Sequence, residues 1–495
     1  MAMSQKTVLL TLVIVVVLAT FLRVQDLSWE TYSYSEVEMK QASDEYASGN
    51  FVNNYYIFDT PPLAKYIFGA AVMINDTESS MRIVSAVFGI LTVLAVFLLS
   101  RKLYGENTAL FASAITAFSI IHIQFSRYVQ QETMLSFFYV MAAFFTWQAV
   151  HEKKKYSFAW LGIFLGLALA TKFISIILFI FIIVYALYEK RIRLSIRRGF
   201  NLGIDNWILK SFVLAIIIFL AAWPFGFSRL HTDATISVQY GNEIRSQQIS
   251  GDVPIILLSF SRRVFTSVFE NVEYPILLKL PAINYLLLFL AKESILVLFL
   301  LALSVYCMAK KPTRQDKFIA MFAIVFLVLL SFQLTNITYR HITGAVPFLG
   351  ILAARSASLL KRRQAMFIAV ISLTLFVQAL LAAPSYVLYH NQLWEPLGML
   401  DTEAKASEGM TETIAYLREN CTSVYAGNYY RFMLESYYYQ NFKRFNETAD
   451  CAIDGSIEER FERGNIIEYA SRNNCTVSAT INKPVKILDI YKCAG

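Results

Sequence analysis

Residues 81–100 read MRIVSAVFGILTVLAVFLLS, and Arg101 and Lys102 follow this apolar run directly. A helix of about 20 apolar residues crosses a hydrocarbon core of about 30 Å, and similar runs recur along the chain. Of the 495 residues, 56% are hydrophobic and 16% are charged, whereas soluble domains average about 45–50% and about 25%. The sequence therefore predicts an all-α polytopic membrane protein. The composition disfavours an ordinary cytosolic enzyme, and it excludes a disordered chain, collagen and a coiled coil.

The apolar runs predict about eleven membrane spans. They lie at 7–22, 81–100, 107–124, 131–149, 157–171, 173–188, 209–226, 283–309, 317–334, 341–360 and 364–383. The first run is short enough for a signal peptide, but no small-residue cleavage pattern follows Arg23, so we interpret it as an anchor. Leu63–Ile74 is apolar but only about 12 residues long. It is too short to cross as a helix and is expected to lie along the membrane surface.

Basic residues test this choice of spans, because they collect in the cytoplasmic loops of membrane proteins. Seventeen of them fall in five short alternate loops: Arg101, Lys102, Lys153, Lys154, Lys155, Lys190, Arg191, Arg193, Arg197, Arg198, Lys310, Lys311, Arg314, Lys317, Lys361, Arg362 and Arg363. The apolar stretch 157–188 lies between two of these loops, so it is predicted to be a helical hairpin turning at Thr171 and Lys172. We therefore expect a multi-pass cell-membrane protein with a cytoplasmic amino terminus and an extracytoplasmic carboxyl terminus.

Sequons and cysteines agree with this sidedness. All five Asn-x-Ser/Thr sequons fall on the outer side, at Asn75, Asn336, Asn420, Asn446 and Asn474. Cys307 lies within a span, whereas the polar tail holds four cysteines: Cys421, Cys451, Cys475 and Cys493. Four cysteines in an exterior segment predict two disulfides, with three pairings open. Zinc is the alternative, but no Cys-x-x-Cys spacing supports it.

Three outer regions are large enough to build a site: the first loop (23–80), a second loop (227–281) and the tail (384–495). Residues 1–383 form the predicted transmembrane domain. The tail combines an amphipathic helix near 412–419 with strand-like pieces at 423–425 and 485–491, which predicts a small extracytoplasmic α/β domain. Within the second loop, 253–278 has the pattern of an interfacial amphipathic segment.

The first loop is rich in carboxylates. Its acidic residues include Glu30, Glu36, Glu38, Asp44, Glu45 and Asp59. A solvated loop explains any one of them, but Asp59 precedes Pro61 and Pro62, which fix the backbone. Lys65 lies about one helical turn further on, so a carboxylate and an ammonium are expected together at the interface.

Two further polar segments lie on the same outer side. Arg127 and Glu132 lie between the third and fourth spans. Charged side chains at this depth cost free energy unless they pair with another group or take part in function. A structural ion pair is the alternative to a functional role. Arg340 and His341 begin the tenth span; His341 is a candidate ligand or base, with a satisfied interfacial histidine as the alternative.

Three motifs in this order resemble the GT-C class of membrane glycosyltransferases, specifically protein O-mannosyltransferases and aminoarabinose transferases. FDTPPLAKYIFG (58–69) resembles the family's Asp-x-His-Pro-Pro-Leu-x-Lys box. RIVSAVFGILTVLAVFLLSRKLYG (82–105) resembles its next helix, and FSRYVQQETML (125–135) resembles its Ser-Arg-x-x-x-x-Asp segment. The resemblance covers about residues 7–190 and is compositional beyond them.

The resemblance implies a polyprenyl-phosphate-linked sugar as donor on the outer face and a first-loop carboxylate as catalytic base. Counting back from Gly49, the family's Asp-Glu pair falls on Ser35 and Glu36, so a serine replaces the usual aspartate. Thr60 replaces the family's histidine, and the later aspartate is Glu132. The base is therefore expected to be Glu36, Asp59 or Glu132, unless the donor, acceptor or activity differs.

The chemistry of sugar transfer needs a base at the acceptor hydroxyl and cations at the departing phosphate. The candidates for the phosphate are Lys65, Arg127, Arg340 and His341. The expected partners are the lipid-linked donor, a protein or glycolipid acceptor and membrane lipids, without nucleic acid. No cofactor is assigned, and a divalent metal is left open. A nucleotide-sugar donor is disfavoured, because the inner loops are too short to bind one.

Other functions were weighed against glycosyl transfer. An oligosaccharyltransferase would carry a Trp-Trp-Asp-Tyr-Gly motif, which the sequence lacks. A multi-pass transporter is compatible with eleven spans, but no related halves are evident and the spans hold few charges. A catalytically altered homologue acting as a binding module stays open because of Ser35.

Overall fold

The architecture is a bundle of apolar helices followed by a small mixed domain. The computed structural model describes residues 4–51, 60–195, 201–227, 229–240, 243–254, 284–331, 339–359, 363–386, 389, 391, 409–426, 431, 434–435, 438, 441–443, 447–455, 463–483 and 485–493. The bundle helices are α1 (Gln5–Val24), α2 (Tyr34–Ala47), α3 (Leu63–Ile74), α4 (Glu78–Tyr104), α5 (Glu106–Phe118), α6 (Ile120–Phe125), α7 (Glu132–Trp147), α8 (Ser157–Thr171), α9 (Ile176–Tyr188), α10 (Asn206–Ala222), α11 (Asn284–Lys292), α12 (Ile295–Lys310), α13 (Arg314–Ser331), α14 (Val346–Ala354) and α15 (Gln364–Leu381).

Helices lie at each of the predicted spans, but several spans are interrupted. The third span breaks at Ser119, between α5 and α6, and the eighth breaks at Glu293 and Ser294, between α11 and α12. The two breaks meet, because the Ser119 hydroxyl donates to Glu293 Oε2 at 2.5 Å. Glu293 also accepts the Ser294 backbone N–H at 2.9 Å. These bonds satisfy polar groups that the interrupted helices would otherwise leave unpaired in an apolar interior.

Four helices in the described part of the chain are long and apolar enough to cross a membrane by themselves. They are Gln5–Val24, Glu78–Tyr104, Glu132–Glu152 and Gln364–Leu381, the third continuing α7 through a π-helical turn at Gln148–Glu152. Shorter apolar helices occupy the remaining spans. A polytopic helical membrane protein is thereby confirmed, and the count of eleven spans stays a prediction.

Ion pairs join the predicted inner loops to one another. Lys102 in the last turn of α4 lies 2.7 Å from Glu152, at the end of the π-helical turn that continues α7, and Arg314 at the start of α13 lies 3.7 Å from Glu189 after α9. These contacts place the first predicted inner loop beside the second and the third beside the fourth, as the alternation of basic loops requires. Which end faces the cytoplasm stays a prediction.

The first outer loop folds into two helices at the other end. Helix α3 has the bounds of the short apolar segment recognised in the sequence, and it packs on α2. Gly69 permits this close contact, because a Cβ there would lie 3.0 Å from the carbonyl oxygen of Ser43.

In the described part of the chain, two β-hairpins lie in predicted loops between the bundle helices. Strands β1 (Ile192–Ser195) and β2 (Asn201–Ile204) pair antiparallel in a predicted inner loop, and β3 (Arg229–Tyr240) pairs with β4 (Glu243–Pro254) in the second outer loop. Strand β4 includes the first two positions of the predicted interfacial segment 253–278. The remainder of that segment lies outside the described residues.

The tail contains the predicted small α/β domain. Its helices are α16 (Met410–Asn420) and α17 (Arg463–Arg472), and its strands are β5 (Val424–Ala426), β6 (Cys451–Gly455), β7 (Thr476–Lys483) and β8 (Val485–Lys492). The strand order is β5-β6-β8-β7, with β5 and β6 parallel and the other pairs antiparallel. The predicted disulfides are confirmed, and the pairing is Cys421–Cys451 and Cys475–Cys493.

Asp450 ties α16 to the sheet. Its carboxylate accepts the backbone N–H groups of Thr422 and Ser423 at 2.8 and 2.6 Å, and both hydroxyls at 3.1 and 2.8 Å. These hydrogen bonds hold the pKa of Asp450 well below its usual range. A depressed folded-state pKa stabilises the fold above the unfolded pKa of about 3.9, and this contribution is lost as the pH falls.

We therefore expect Asp450→Asn to lower the free energy of unfolding by about 1.5–3 kcal/mol at pH 7, the range for hydrogen bonds to charged groups. Thermal unfolding of the full chain in detergent at pH 7 and about pH 2.5, which lies below the unfolded pKa, measures this. The gap in Tm between wild type and variant should narrow at the lower pH. A Tm difference between wild type and variant that is absent at pH 7, or the same at both pH values, would contradict the stabilising role of Asp450.

Candidate active site

A small cavity gathers charged side chains from separate parts of the chain. Glu132 comes from the start of α7, and Lys172 from the turn between α8 and α9. Arg340 and His341 come from the 3₁₀ helix Tyr339–Gly344. The cavity holds about 10 Å³, which is of the order of one water molecule. These elements lie on the predicted outer side, so one end of the bundle carries both the predicted site residues and the cavity.

Glu132 is the carboxylate of this cavity. The residue is only 3% exposed. Its Oε1 lies 2.8 Å from the Lys172 ammonium, whereas Oε2 is buried and has no hydrogen-bond partner within the described chain. A buried carboxylate paired through one oxygen keeps the other oxygen available as a proton acceptor.

Arg340 links the cavity to the first loop. Its Nη1 donates to the Ser35 hydroxyl at 3.0 Å, and its buried Nε has no partner among the described residues. Ser35 lies in the first turn of α2, at the position that resembles the family's aspartate. The position expected from the motif therefore lies beside the cavity, with a hydroxyl in place of a carboxylate.

The walls of the cavity are aromatic and aliphatic. They comprise Leu135, Tyr139, Ile174, Phe326 and Gly344. A Cβ at Gly344 would lie 2.8 Å from Cε2 of Tyr139, so the absence of a side chain lets the 3₁₀ helix approach α7. The ring of His341 packs edge-on against Tyr285, with 6.3 Å between ring centroids. These apolar walls strengthen electrostatic interactions inside the cavity by excluding water.

Glu36, a candidate base, is bonded on both oxygens away from this cavity. It forms a two-bond ion pair with Arg82 at 2.8 and 3.0 Å, and both side chains are fully buried. It also closes the capping box at the start of α2, accepting the backbone N–H of Ser33 at 2.9 Å, and accepts that of Val129 at 2.8 Å. We propose a structural role for Glu36 in place of the catalytic role expected from the sequence.

Arg127 lies at the carboxyl end of α1 instead of in the cavity. Its guanidinium donates to the backbone carbonyls of Gln25 and Asp26 at 2.6 and 3.1 Å, and it stacks 4.6 Å from the Trp29 ring. The residue is fully buried. Because the carbonyl of Leu22 in the last turn of α1 also accepts from Arg127 at 3.2 Å, the guanidinium lies at the negative end of the helix dipole and offsets it. We propose that Arg127 caps α1, in place of the expected contact with a phosphate.

Lys65 lies in α3 and is 2% exposed. Burial raises the pKa of Glu45, and the Lys65 ammonium opposes this shift, which places the two groups near each other. Asp59, its expected partner, lies outside the described residues. The role of Asp59 as a base stays a prediction from the sequence.

The described residues include no group of three or more histidine, cysteine, aspartate or glutamate side chains placed to hold a metal ion.

Lys172 was not among the residues expected at the site. The signal was a basic residue in an outer turn between two apolar helices, against the usual collection of such residues in inner loops. The contact between Ser35 and Arg340 had no sequence signal, because 305 positions separate the two residues.

Part of the chain matches a protein-family model. Residues 59–224 match the family described as dolichyl-phosphate-mannose-protein mannosyltransferase. This region includes Glu132 and Lys172 of the cavity, and it ends before Arg340.

Solved structures with a similar fold are known. The crystal structure of ArnT from Cupriavidus metallidurans bound to undecaprenyl phosphate has 13% identity and a TM-score of 0.60, covering 99% of this chain and 98% of that chain. The archaeal oligosaccharyltransferase AglB from Archaeoglobus fulgidus, in complex with an inhibitory peptide and a dolichol-phosphate, has 13% identity and a TM-score of 0.53. That match covers 88% of this chain and 64% of AglB.

A curated relative is also similar. An uncharacterised protein of Aquifex aeolicus is 30% identical over 132 residues. The match covers 25% of this chain and 26% of the relative, so the chain spans about a quarter of the length of the curated relative it matches.

Proposed function

We propose that this chain is a GT-C membrane glycosyltransferase that transfers a sugar from a polyprenyl-phosphate donor to an acceptor hydroxyl, a proposal supported by the family match over residues 59–224 and by the fold shared with ArnT. The reaction takes place at Glu132 and Arg340 on the extracytoplasmic face, and because the cavity between these side chains holds only about 10 Å³, donor binding must move them apart. The observation that carries this proposal is the buried Glu132 carboxylate, which has one oxygen unpaired among the described residues and cations beside it.

The proposed reaction is a displacement at the anomeric carbon. The acceptor oxygen forms a bond to this carbon and gives its proton to Glu132 Oε2. The bond from the carbon to the phosphate oxygen breaks, and the electron pair leaves on the polyprenyl phosphate. Arg340 and His341 lie in the same cavity and are placed to stabilise this leaving group.

The serine at position 35 fits this division of roles. Where the family's carboxylate is replaced by a hydroxyl, another carboxylate must take the proton. Glu132 is the described carboxylate that lines the cavity. Arg340 lines the same cavity and donates to the Ser35 hydroxyl, so Ser35 lies next to it. Asp59 is the alternative base to test if Glu132 proves dispensable.

The donor's lipid chain needs an apolar groove at the same end of the bundle. A groove of about 460 Å³ lies between α2, α3 and the end of α10, lined by Tyr46, Phe51, Tyr66, Gly69, Ala70, Met73, Ala221, Ala222, Pro224 and Phe225. Met73 and Ile74 continue the apolar surface, at 71% and 86% exposed. We assign part of the polyprenyl chain to this groove.

Filling the groove tests this assignment. Ala221→Trp should raise KM for a long polyprenyl donor about tenfold, because losing ~1.4 kcal/mol of apolar contact changes affinity by that factor. The kcat should change little. Val377→Trp, on the exposed face of α15, is the control and should leave KM unchanged. Equal KM values for both variants and wild type would remove the lipid chain from this groove.

Transfer itself is tested with purified protein in lipid vesicles. Polyprenyl-phosphate donors carrying labelled hexoses or pentoses are supplied with protein, glycan and lipid acceptors. We expect one donor to be consumed, with polyprenyl phosphate released in proportion to labelled product. If no donor is consumed and a solute accumulates in the vesicles, the transporter hypothesis replaces this proposal.

The domain division and orientation are part of the proposal. Residues 1–383 form the membrane domain, and 384–495 form a disulfide-containing domain outside the cell. The Glu30 carboxylate of the first loop accepts the backbone N–H groups of Gly409 and Thr411 at 2.9 and 2.6 Å. This contact supports an outer-face position for the tail, beside the first loop.

A further inference from the structure

We infer that Lys172 is a positioning residue that fixes the Glu132 carboxylate so that its Oε2 is presented to the acceptor hydroxyl. The inference rests on the proposed function. It assigns to the turn between α8 and α9 a role in the transfer step.

The position of Lys172 is unusual for a basic residue. Its side chain is 13% exposed at the predicted outer end of two apolar helices. Removing an ammonium from water costs several kcal/mol unless a counter-charge compensates it. Glu132 supplies that counter-charge at 2.8 Å.

The backbone holds Lys172 in place. The residue ends α8 in an extended conformation, with φ −159° and ψ 135°. Its N–H donates to the carbonyl of Ala168 at 3.0 Å, and its own carbonyl accepts the N–H of Ser175 at 3.1 Å. Because these hydrogen bonds fix the backbone of Lys172, its ammonium can take only a limited set of positions relative to α7.

The two cations of the cavity make different contacts. Lys172 binds Glu132 Oε1, whereas Arg340 donates to the Ser35 hydroxyl. The last torsion of a glutamate side chain is soft. Without Lys172, the carboxylate is free to rotate and pair with Arg340, which would occupy Oε2 and withdraw Arg340 from the leaving phosphate.

In the proposed reaction, Lys172 neither gains nor loses a proton. The acceptor hydroxyl loses its proton to Glu132 Oε2, and the electron pair of the broken bond leaves on the phosphate. Lys172 stays protonated throughout. Its removal should therefore slow the transfer step more than it weakens donor binding.

Lys172→Met should lower kcat about 100-fold, the cost of misplacing a catalytic group by about 1 Å, with donor KM within about threefold of wild type. Lys172→Arg keeps a cation and should recover at least a tenth of wild-type kcat. Lys155→Met, at an exposed lysine after α7, is the matched control and should match wild type. A KM effect larger than the kcat effect, or no recovery with arginine, would overturn the positioning role.

A double-variant cycle separates this inference from the proposed function. If Lys172 acts through Glu132, Glu132→Gln with Lys172→Met should be no slower than Glu132→Gln alone. If the two losses multiply, Lys172 acts independently and the inference fails. If Glu132→Gln is inactive while Lys172→Met has wild-type kcat, only the inference fails. If Glu132→Gln has wild-type kcat, the proposed site itself fails.

Discussion

Glu132→Gln is expected to lower kcat for sugar transfer about a thousandfold, within the range of ~10²–10⁴ for general-base catalysis. The amide has nearly the shape of the carboxylate, and its oxygen can still accept from the Lys172 ammonium. It cannot take a proton from an acceptor hydroxyl. The measurement is initial-rate transfer of labelled sugar, with the concentration of folded enzyme determined for each variant.

The same helix provides the control for this variant. Glu152 lies at the opposite end of the α7 segment and pairs with Lys102 at 2.7 Å. Glu152→Gln also removes one ion-paired carboxylate from this helix, so it should change kcat less than threefold. If Glu132→Gln retains more than a tenth of wild-type kcat, Glu132 is not the base, and Asp59→Asn becomes the variant to measure.

Arg82→Met should produce the largest loss of stability, about 3–5 kcal/mol, because it leaves the fully buried Glu36 carboxylate without its counter-charge. The guanidinium also donates to the carbonyls of Leu27 and Glu30 at 2.8 and 2.7 Å, and it lies 4.6 Å from the Trp29 ring. These contacts join α4 to the first loop. Equilibrium unfolding in detergent measures the loss.

Arg101→Met tests whether burial of the ion pair causes the loss of stability. Arg101 lies on the same helix and pairs with Glu106 at 2.8 Å, but its side chain is 49% exposed. Exposed pairs contribute about 0–1 kcal/mol, so this variant should unfold close to wild type. Equal losses for Arg82→Met and Arg101→Met would contradict a special role for the buried pair.

Most of the membrane fold could be predicted from the lengths of the apolar segments and from the positions of the basic loops. Helix α8 has the predicted bounds, and α4 extends the predicted span by a few residues at each end. The breaks at Ser119 and Glu293 were not predicted, because apolar length does not reveal an interruption that distant side chains satisfy. The partner of each break comes from another helix, so no local pattern identifies it.

The site was predictable only in part. The sequence selected Glu132, Arg340 and His341, and the structure brings them into one cavity. Glu36 was selected from its place in the family's motif and Arg127 as a charge near a membrane, but local bonds employ them in a capping box and at a helix end. Charge near a membrane therefore identifies residues that need a partner without indicating whether that partner is protein or substrate.

The most direct test is a structure of the protein with a polyprenyl-phosphonate sugar, a donor analogue that cannot be cleaved. We predict that the phosphonate lies within hydrogen-bond distance of Arg340 and that the anomeric carbon faces Glu132 Oε2 with room for a hydroxyl between them. A phosphonate bound at the opposite end of the bundle, beside the pair of Lys102 and Glu152, would contradict the account.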